Sequence, residues 1–200
     1  LGQGFANAVG MALAERKMQG RFGPDLVDHY TYCIAGDGCL MEGVSHEAAS
    51  LAGHHELYKL IVFFDDNGIS IDGPTTLSVS DDNVARFKSY GWNTISIDGH
   101  NPAEIRKALL NAKKSSKPSL IAAKTKIGYG SPNKEGTAAS HGAPLGSDEI
   151  ALTRDSLDWP YEPFIIPTEV LEEWRSIGSR NSDVQKAWSN RLNNSEKSIS

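Results

Sequence analysis

The chain's 200 residues suffice for one full α/β domain or a slightly larger fragment, and 39% hydrophobic with 22% charged residues is the composition of an ordinary soluble globular protein. A formal net charge of −5, with no basic stripe and no interleaved aromatics, argues against nucleic acid as a partner. The longest apolar run, residues 60–64, is far short of the roughly 20 residues that span a bilayer, so no membrane segment is expected, and the opening reads as a Gly/Ala-rich helix and not as a signal peptide.

Residues 5–18 predict a helix, with Phe5, Ala8, Val9, Ala12 and Leu13 on one face at three-to-four spacing. A loop over 21–28, with Gly23-Pro24, leads to a strand over 30–35 that the glycines of Gly36-Asp37-Gly38 end. Next come a helix over 45–55 and a second strand over 60–65, the latter breaking into Asn67-Gly68. Ser80 or Asp81 caps a short helix ending at Tyr90-Gly91, and residues 93–98 make a third strand. Asn101-Pro102-Ala103-Glu104 is a helix start with N-cap, Pro at the first position and Glu at the third. That helix runs to about residue 114, before a fourth strand over 120–125. Such β-α-β-α alternation implies a mostly parallel sheet flanked by helices on both faces. Residues 126–146 are glycine-rich and aperiodic, the mark of a functional or disordered loop. Helix signals resume at Ser147, are interrupted by Trp159-Pro160-Tyr161-Glu162-Pro163, and end in a final helix capped by Thr168. The tail after about Arg191 is polar and expected to fray. Cys33 in a strand and Cys39 in a turn form no disulfide framework, which fits a reducing, cytoplasmic setting.

Asp37 and Asn67 each stand just after an apolar strand pattern. Two neighbouring parallel strands would deliver a carboxylate and a carboxamide to one end of the sheet, where open α/β folds bind ligands. Both offer hard oxygens, suited to Mg²⁺ or Ca²⁺, and Mg²⁺ takes its remaining ligands from water and phosphate. Taken singly, an Asp-Gly after a strand is a common turn. The second group changes that reading, because residues 39–65 between them hold one helix and one strand.

Four stretches in order carry a family resemblance: Leu1-Gly2-Gln3-Gly4-Phe5-Ala6-Asn7-Ala8-Val9-Gly10-Met11-Ala12, Ala35-Gly36-Asp37-Gly38-Cys39-Leu40-Met41-Glu42-Gly43, Asp65-Asp66-Asn67-Gly68-Ile69-Ser70-Ile71-Asp72-Gly73 and Ser140-His141-Gly142-Ala143-Pro144-Leu145-Gly146. The middle two match the GDG…NN fingerprint of thiamin diphosphate enzymes, with Asp66 in place of the first Asn, as in the transketolase branch. Together the four resemble transketolase from Leu1 to about Trp174. The resemblance implies a thiamin diphosphate-binding fold over residues 1–195, truncated at its N-terminus, with the pyrimidine-binding and C-terminal domains absent. Leu1-Gly2-Gln3-Gly4 lacks an initiator Met, and the chain is expected to be cut from something longer.

By resemblance, Asp37, Asn67 and the main-chain carbonyl of Ile69 hold the metal. The Gly38 N–H reaches a phosphate oxygen, Ile71 and Ile127 wall the cofactor rings, and Leu1 touches the aminopyrimidine. His141 contacts phosphate and substrate, as donor or proton shuttle. Glu42 and Glu47 are N-terminal helix acids on a plain reading; the resemblance places them at the interface with a second subunit of a homodimer. The implied reaction, in the pentose phosphate pathway, is transfer of a two-carbon ketol unit between sugar phosphates, with the fragment alone inactive. Dihydroxyacetone synthase, deoxyxylulose-phosphate synthase and a non-catalytic subunit of a split transketolase are the alternatives. Zinc spacing among the Cys and His residues, a nicotinamide fingerprint at Gly2 and a Gly-x-Ser-x-Gly elbow are not found.

Overall fold

A computed structural model describes residues 1–195. Four parallel strands, β1 (Thr31–Gly36), β2 (Leu60–Asp66), β5 (Asn93–Asp98) and β6 (Ser119–Lys124), form one sheet in the order β1-β2-β6-β5. A two-residue hairpin, β3 (Ile69–Ser70) with β4 (Gly73–Pro74), lies beyond the end of β2 and is not among the predicted elements. Such short strands leave no periodicity to detect.

Helix α1 (Gln3–Phe22) is longer than predicted and stops where Gly23, at φ 90°, donates its N–H to Gln19 O at 2.8 Å. Its buried stripe is Phe5, Ala8, Val9, Ala12 and Glu15. Leu13 is 38% exposed, so its expected place on the inner face is corrected. Glu15 is buried in its stead because the buried Lys59 ammonium meets it at 2.7 Å, with Asp28 at 2.6 Å. Burial of such a charge is tolerable only when it is paired.

One face of the sheet packs against α1, α3 (Gly43–His54) and α4 (Asn83–Ser89). There the Phe87 and Trp92 rings meet edge to face at 4.9 Å, and Phe5 stacks on Trp92 at 6.1 Å. Trp92 Nε1 donates to Ala49 O at 2.8 Å, so its polar tip is satisfied. Helix α3 approaches this corner so closely that a Cβ on Gly53 would sit 1.8 Å from Tyr90 O. Helix α5 (Pro102–Ala112) covers the other face, where Ala108 and Ala112 meet Ile61 and Ile121. Coverage of this face is partial: on β1 Tyr32 is 51% and Ile34 79% exposed.

Caps explain most boundaries. Asn101 Oδ1 accepts from the N–H groups of Ala103 and Glu104, as the pattern predicts. For α4 the cap is Asp82, accepting from Ala85 N, while Asp81 pairs with Arg86 at 3.0 Å. Pro167 and not Thr168 occupies the N-cap of α7 (Thr168–Ser179), and the single final helix expected from the sequence is two. The second, α8 (Ser182–Asn193), is docked by Trp188 Nε1 on Leu26 O and Arg191 Nε on Asp25 O, both at 2.9 Å. The polar tail therefore begins from an anchored Arg191, and its last stretch, 196–200, lies outside the described residues. Cys39, expected in a turn, lies in the short helix α2 (Asp37–Met41); Cys33 and Cys39 are both free.

Candidate functional site

Gly36 is the last residue of β1, extended at φ −87° and ψ 177°, and Asp37 opens α2 directly from it. The glycines thus do more than end a strand: they turn it into a helix with Asp37 in the first turn. Gly36 is in register with Asp65 on the neighbouring β2, so Asp37 and the Asp65–Asn67 corner emerge side by side at the C-terminal end of the sheet.

The Asp37 side chain is buried, its residue only 9% exposed. Its Oδ2 accepts the Gly68 N–H at 3.2 Å. Burial pushes the carboxyl above its ordinary value, the Gly68 N–H opposes this, and the negative charge of Asp66 adds to the rise. Among the described residues no Lys or Arg forms an ion pair with it. A buried carboxylate in that condition has room for a cation. Asn67 folds back so that Oδ1 accepts the Ile69 N–H at 3.0 Å, while Nδ2 donates to Asp65 Oδ2 at 3.1 Å. Asp65 in turn receives the Thr125 hydroxyl from the β6 side.

These groups line a cleft of about 620 Å³ that also includes Leu1, Gly38, Ile69, Ile71, Ile127 and His141. The structure brings together every residue expected to hold metal or cofactor. Leu1 lies over Gly38, where an added Cβ would meet Leu1 Cδ1 at 3.4 Å. Ile69 and Ile71 sit on the β3–β4 hairpin, held by Ser70 Oγ on Gly73 O and by Thr75 N on Gly68 O. Ile127 is half-buried, whereas Leu1, Ile71 and His141 are exposed at the rim. Glu42 and Glu47 are exposed and do not line the cleft. Glu42 occupies the N-cap position of α3 without a side-chain cap bond, and Glu47 lies beyond the first turn. Both thus stand at the N-terminal end of α3, outside its first turn.

The loop over 126–146 is ordered by polar contacts. Glu149 of α6 (Ser147–Ser156) receives the Ser131 hydroxyl, the Asn133 N–H at 2.8 Å and the Asn133 carboxamide at 2.9 Å. These donors hold its carboxyl down at about 2. Lys126 pairs with Glu135 at 2.9 Å, Gly136 N donates to Ile127 O, and Lys134 Nζ donates to Leu145 O. Sequence reasoning missed Asp65, Thr125 and Cys39 as lining residues. Asp65 had a signal, its place beside Asn67; Thr125 becomes a neighbour only once β6 is known to lie next to β2.

Larger depressions, among them one of about 820 Å³ beside α8 and one of about 1020 Å³ over the outer side of β1, include none of Asp37, Gly38 and Asn67. Among the described residues no group of three or more Cys, His, Asp or Glu could by itself hold a metal. The donor set of the 620 Å³ cleft, the Asp37 and Asp65 carboxylates and the Asn67 carboxamide with main-chain oxygens nearby, suits a hard divalent ion that draws its other ligands from a phosphorylated group. The residues present fit a metal–diphosphate.

Residues 1–200 match the family described as "Transketolase, thiamine diphosphate binding domain". A transketolase of Cereibacter sphaeroides is 54% identical over 192 residues, covering 96% of this chain and 29% of the relative. Transketolase 1 of Escherichia coli strain K12 is 58% identical over 179 residues, covering 87% and 27%. In structure, a transketolase from Campylobacter jejuni superposes with a TM-score of 0.94 at 45% identity, covering 98% of this chain and 31% of that one. The chain thus spans less than a third of the length of these relatives, and the likeness continues past Trp174. With the whole length matched and the cleft in the expected place, the chain belongs to the family of transketolase thiamine diphosphate binding domains.

Proposed function

We propose that this chain forms the diphosphate-binding part of a transketolase, a transferase that moves a two-carbon ketol unit from a ketose phosphate to an aldose phosphate. Buried Asp37 and half-buried Asn67, side by side in one cleft with Gly38, are the observation behind this reading. Asp37, Asn67 and the Ile69 carbonyl would hold Mg²⁺ (or Ca²⁺), and the Gly38 N–H, unobstructed by a side chain, would meet a phosphate oxygen. When bound, thiamin diphosphate supplies the nucleophilic carbon and the electron sink. The chain's own residues bind and orient: Leu1, Ile71 and Ile127 exclude water from the rings, and His141 holds or moves a proton at the substrate oxygen. Working in the cytoplasm fits the free cysteines.

Asp37 brings the single formal charge among the proposed protein ligands. In the full-length protein Asp37→Ala should abolish tight binding of Mg²⁺ and thiamin diphosphate, and Asn67→Ala should weaken it less. Calorimetric titration decides; unchanged affinity in the Asp37→Ala protein removes the metal clamp. Glu42 and Glu47, exposed and outside the cleft, are proposed to face a second subunit of a homodimer. Reversing both charges (Glu42→Lys with Glu47→Lys) should shift sedimentation of the full-length protein toward monomer, and an undisturbed dimer would take them out of that interface.

A further inference from the structure

Residues 125–128 form one wall of the cleft, yet they lie past the end of β6, where no strand pairing holds them. Thr125 is fixed from the β2 side, by Asp65 and by Asp66 O. Lys126 is fixed from the opposite side, by His100 in the turn between β5 and α5. The Lys126 N–H donates to His100 Nε2 at 3.0 Å, and the same imidazole stacks on the Tyr129 ring, centroids 4.1 Å apart and planes 21° apart. A main-chain N–H can only donate, so Nε2 is the acceptor and the imidazole is neutral in this bond. His100 is itself anchored, its N–H on Asp98 Oδ1 at 2.9 Å, with the Asp98 N–H on Glu104 Oε2 at 2.9 Å. One side chain therefore grips the loop at residues 126 and 129, on both sides of Ile127 and Gly128, without itself lining the cleft.

Resting on the proposed cofactor reading, we infer that His100 is a positioning residue: its neutral imidazole keeps residues 126–128 in the cofactor-binding shape, and protonation releases them. The charged groups around it are Lys126 and Glu135 of the loop, Asp98 of its own turn, Glu104 of α5, and Lys124 of β6, whose ammonium is turned to Asp66. Lys126 and Glu135 offset one another, so the proton on His100 is the change of charge that the wall feels. A protonated ring still stacks on Tyr129, as a cation over an aromatic face, but it no longer accepts from Lys126.

Two substitutions in the full-length protein separate the contacts. His100→Phe keeps a ring for Tyr129 and deletes the acceptor, whereas His100→Gln supplies an uncharged carboxamide oxygen near the place of Nε2. Thiamin diphosphate with Mg²⁺ is titrated calorimetrically at about pH 6 and about pH 8. At the higher pH, His100→Phe should bind about three- to tenfold more weakly, the usual net worth of one hydrogen bond, while His100→Gln stays within about twofold of the unaltered protein. Between the two pH values His100→Gln should lose less affinity than the unaltered protein. His100→Phe binding as tightly as the unaltered protein, or His100→Gln keeping the full pH dependence, overturns the inference. Should His100→Phe fail to fold, the pH comparison with His100→Gln decides alone. An unaltered protein that binds no thiamin diphosphate would bring down the cofactor reading itself, a result distinct from intact binding that ignores His100.

Discussion

His141 shows how little of a residue's chemistry its own surroundings need fix. It is exposed at the rim of the cleft, and its main-chain N–H closes the short 3₁₀ turn over Ala138–Ser140 by donating to Ala138 O at 3.0 Å. The residue is exposed among the described residues, so His141→Ala should leave the thermal midpoint nearly unchanged. If the side chain meets phosphate and substrate, turnover of the full-length protein should fall by about 10² to 10⁴, the usual share of general acid–base help. A folded variant with unaltered kinetics would return His141 to an ordinary loop residue. At this scale the sequence is informative where a residue's type is itself the constraint. Asp37 and Asn67 were legible because the two groups, each an ordinary turn when taken singly, stand after two strands with one helix between them. Glu15 was not, because its burial depends on Lys59, 44 positions away, and periodicity alone prefers Leu13.

The strands of the main sheet and the longer helices beside them, though not the short α2, were legible to within a few residues, since apolar patterning reports what a core needs. The loop over 126–146 gave no such signal because its order is polar. Glu149 is its anchor, with both carboxylate oxygens occupied by three donors from Ser131 and Asn133. A Gln there has one acceptor oxygen, and its amide would face a donor. Glu149→Gln should therefore lower the thermal midpoint by a few degrees near neutral pH and weaken cofactor binding through Ile127 and His141. The folded carboxyl sits at about 2, below its ordinary 4.5. Its contribution is thus complete above the ordinary value and disappears as pH falls from about 4.5 toward about 2. Thermal melts of both proteins across that window should converge at the acid end. A difference that stays constant with pH would mean that the carboxylate's charge is not what holds the loop.

At the scale of the whole molecule the described residues build an open cleft. The cleft has its polar floor in Asp37, Asn67 and Gly38, but Leu1 is 76% and Ile71 70% exposed, so the apolar part is open to water. Tyr32 and Ile34 leave the outer side of β1 bare, and Phe164 and Trp174 are 103% and 75% exposed. The chain spans 27–31% of the relatives' length, and exposed apolar side chains of this kind are where a further protein surface would pack. An open cleft would keep a high dielectric around a diphosphate bound there, which weakens each electrostatic contact that a closed site would strengthen. The purified 200-residue chain should accordingly bind thiamin diphosphate much more weakly than the full-length protein and show no ketol transfer at any cofactor concentration. Supplying the rest of the protein in trans should restore activity only if the pieces dock over these bare faces. A coupled assay for transfer from a ketose phosphate to an aldose phosphate is the check. Turnover by the isolated chain would show that its open cleft is sufficient, and would move catalysis from a shared site into this domain alone.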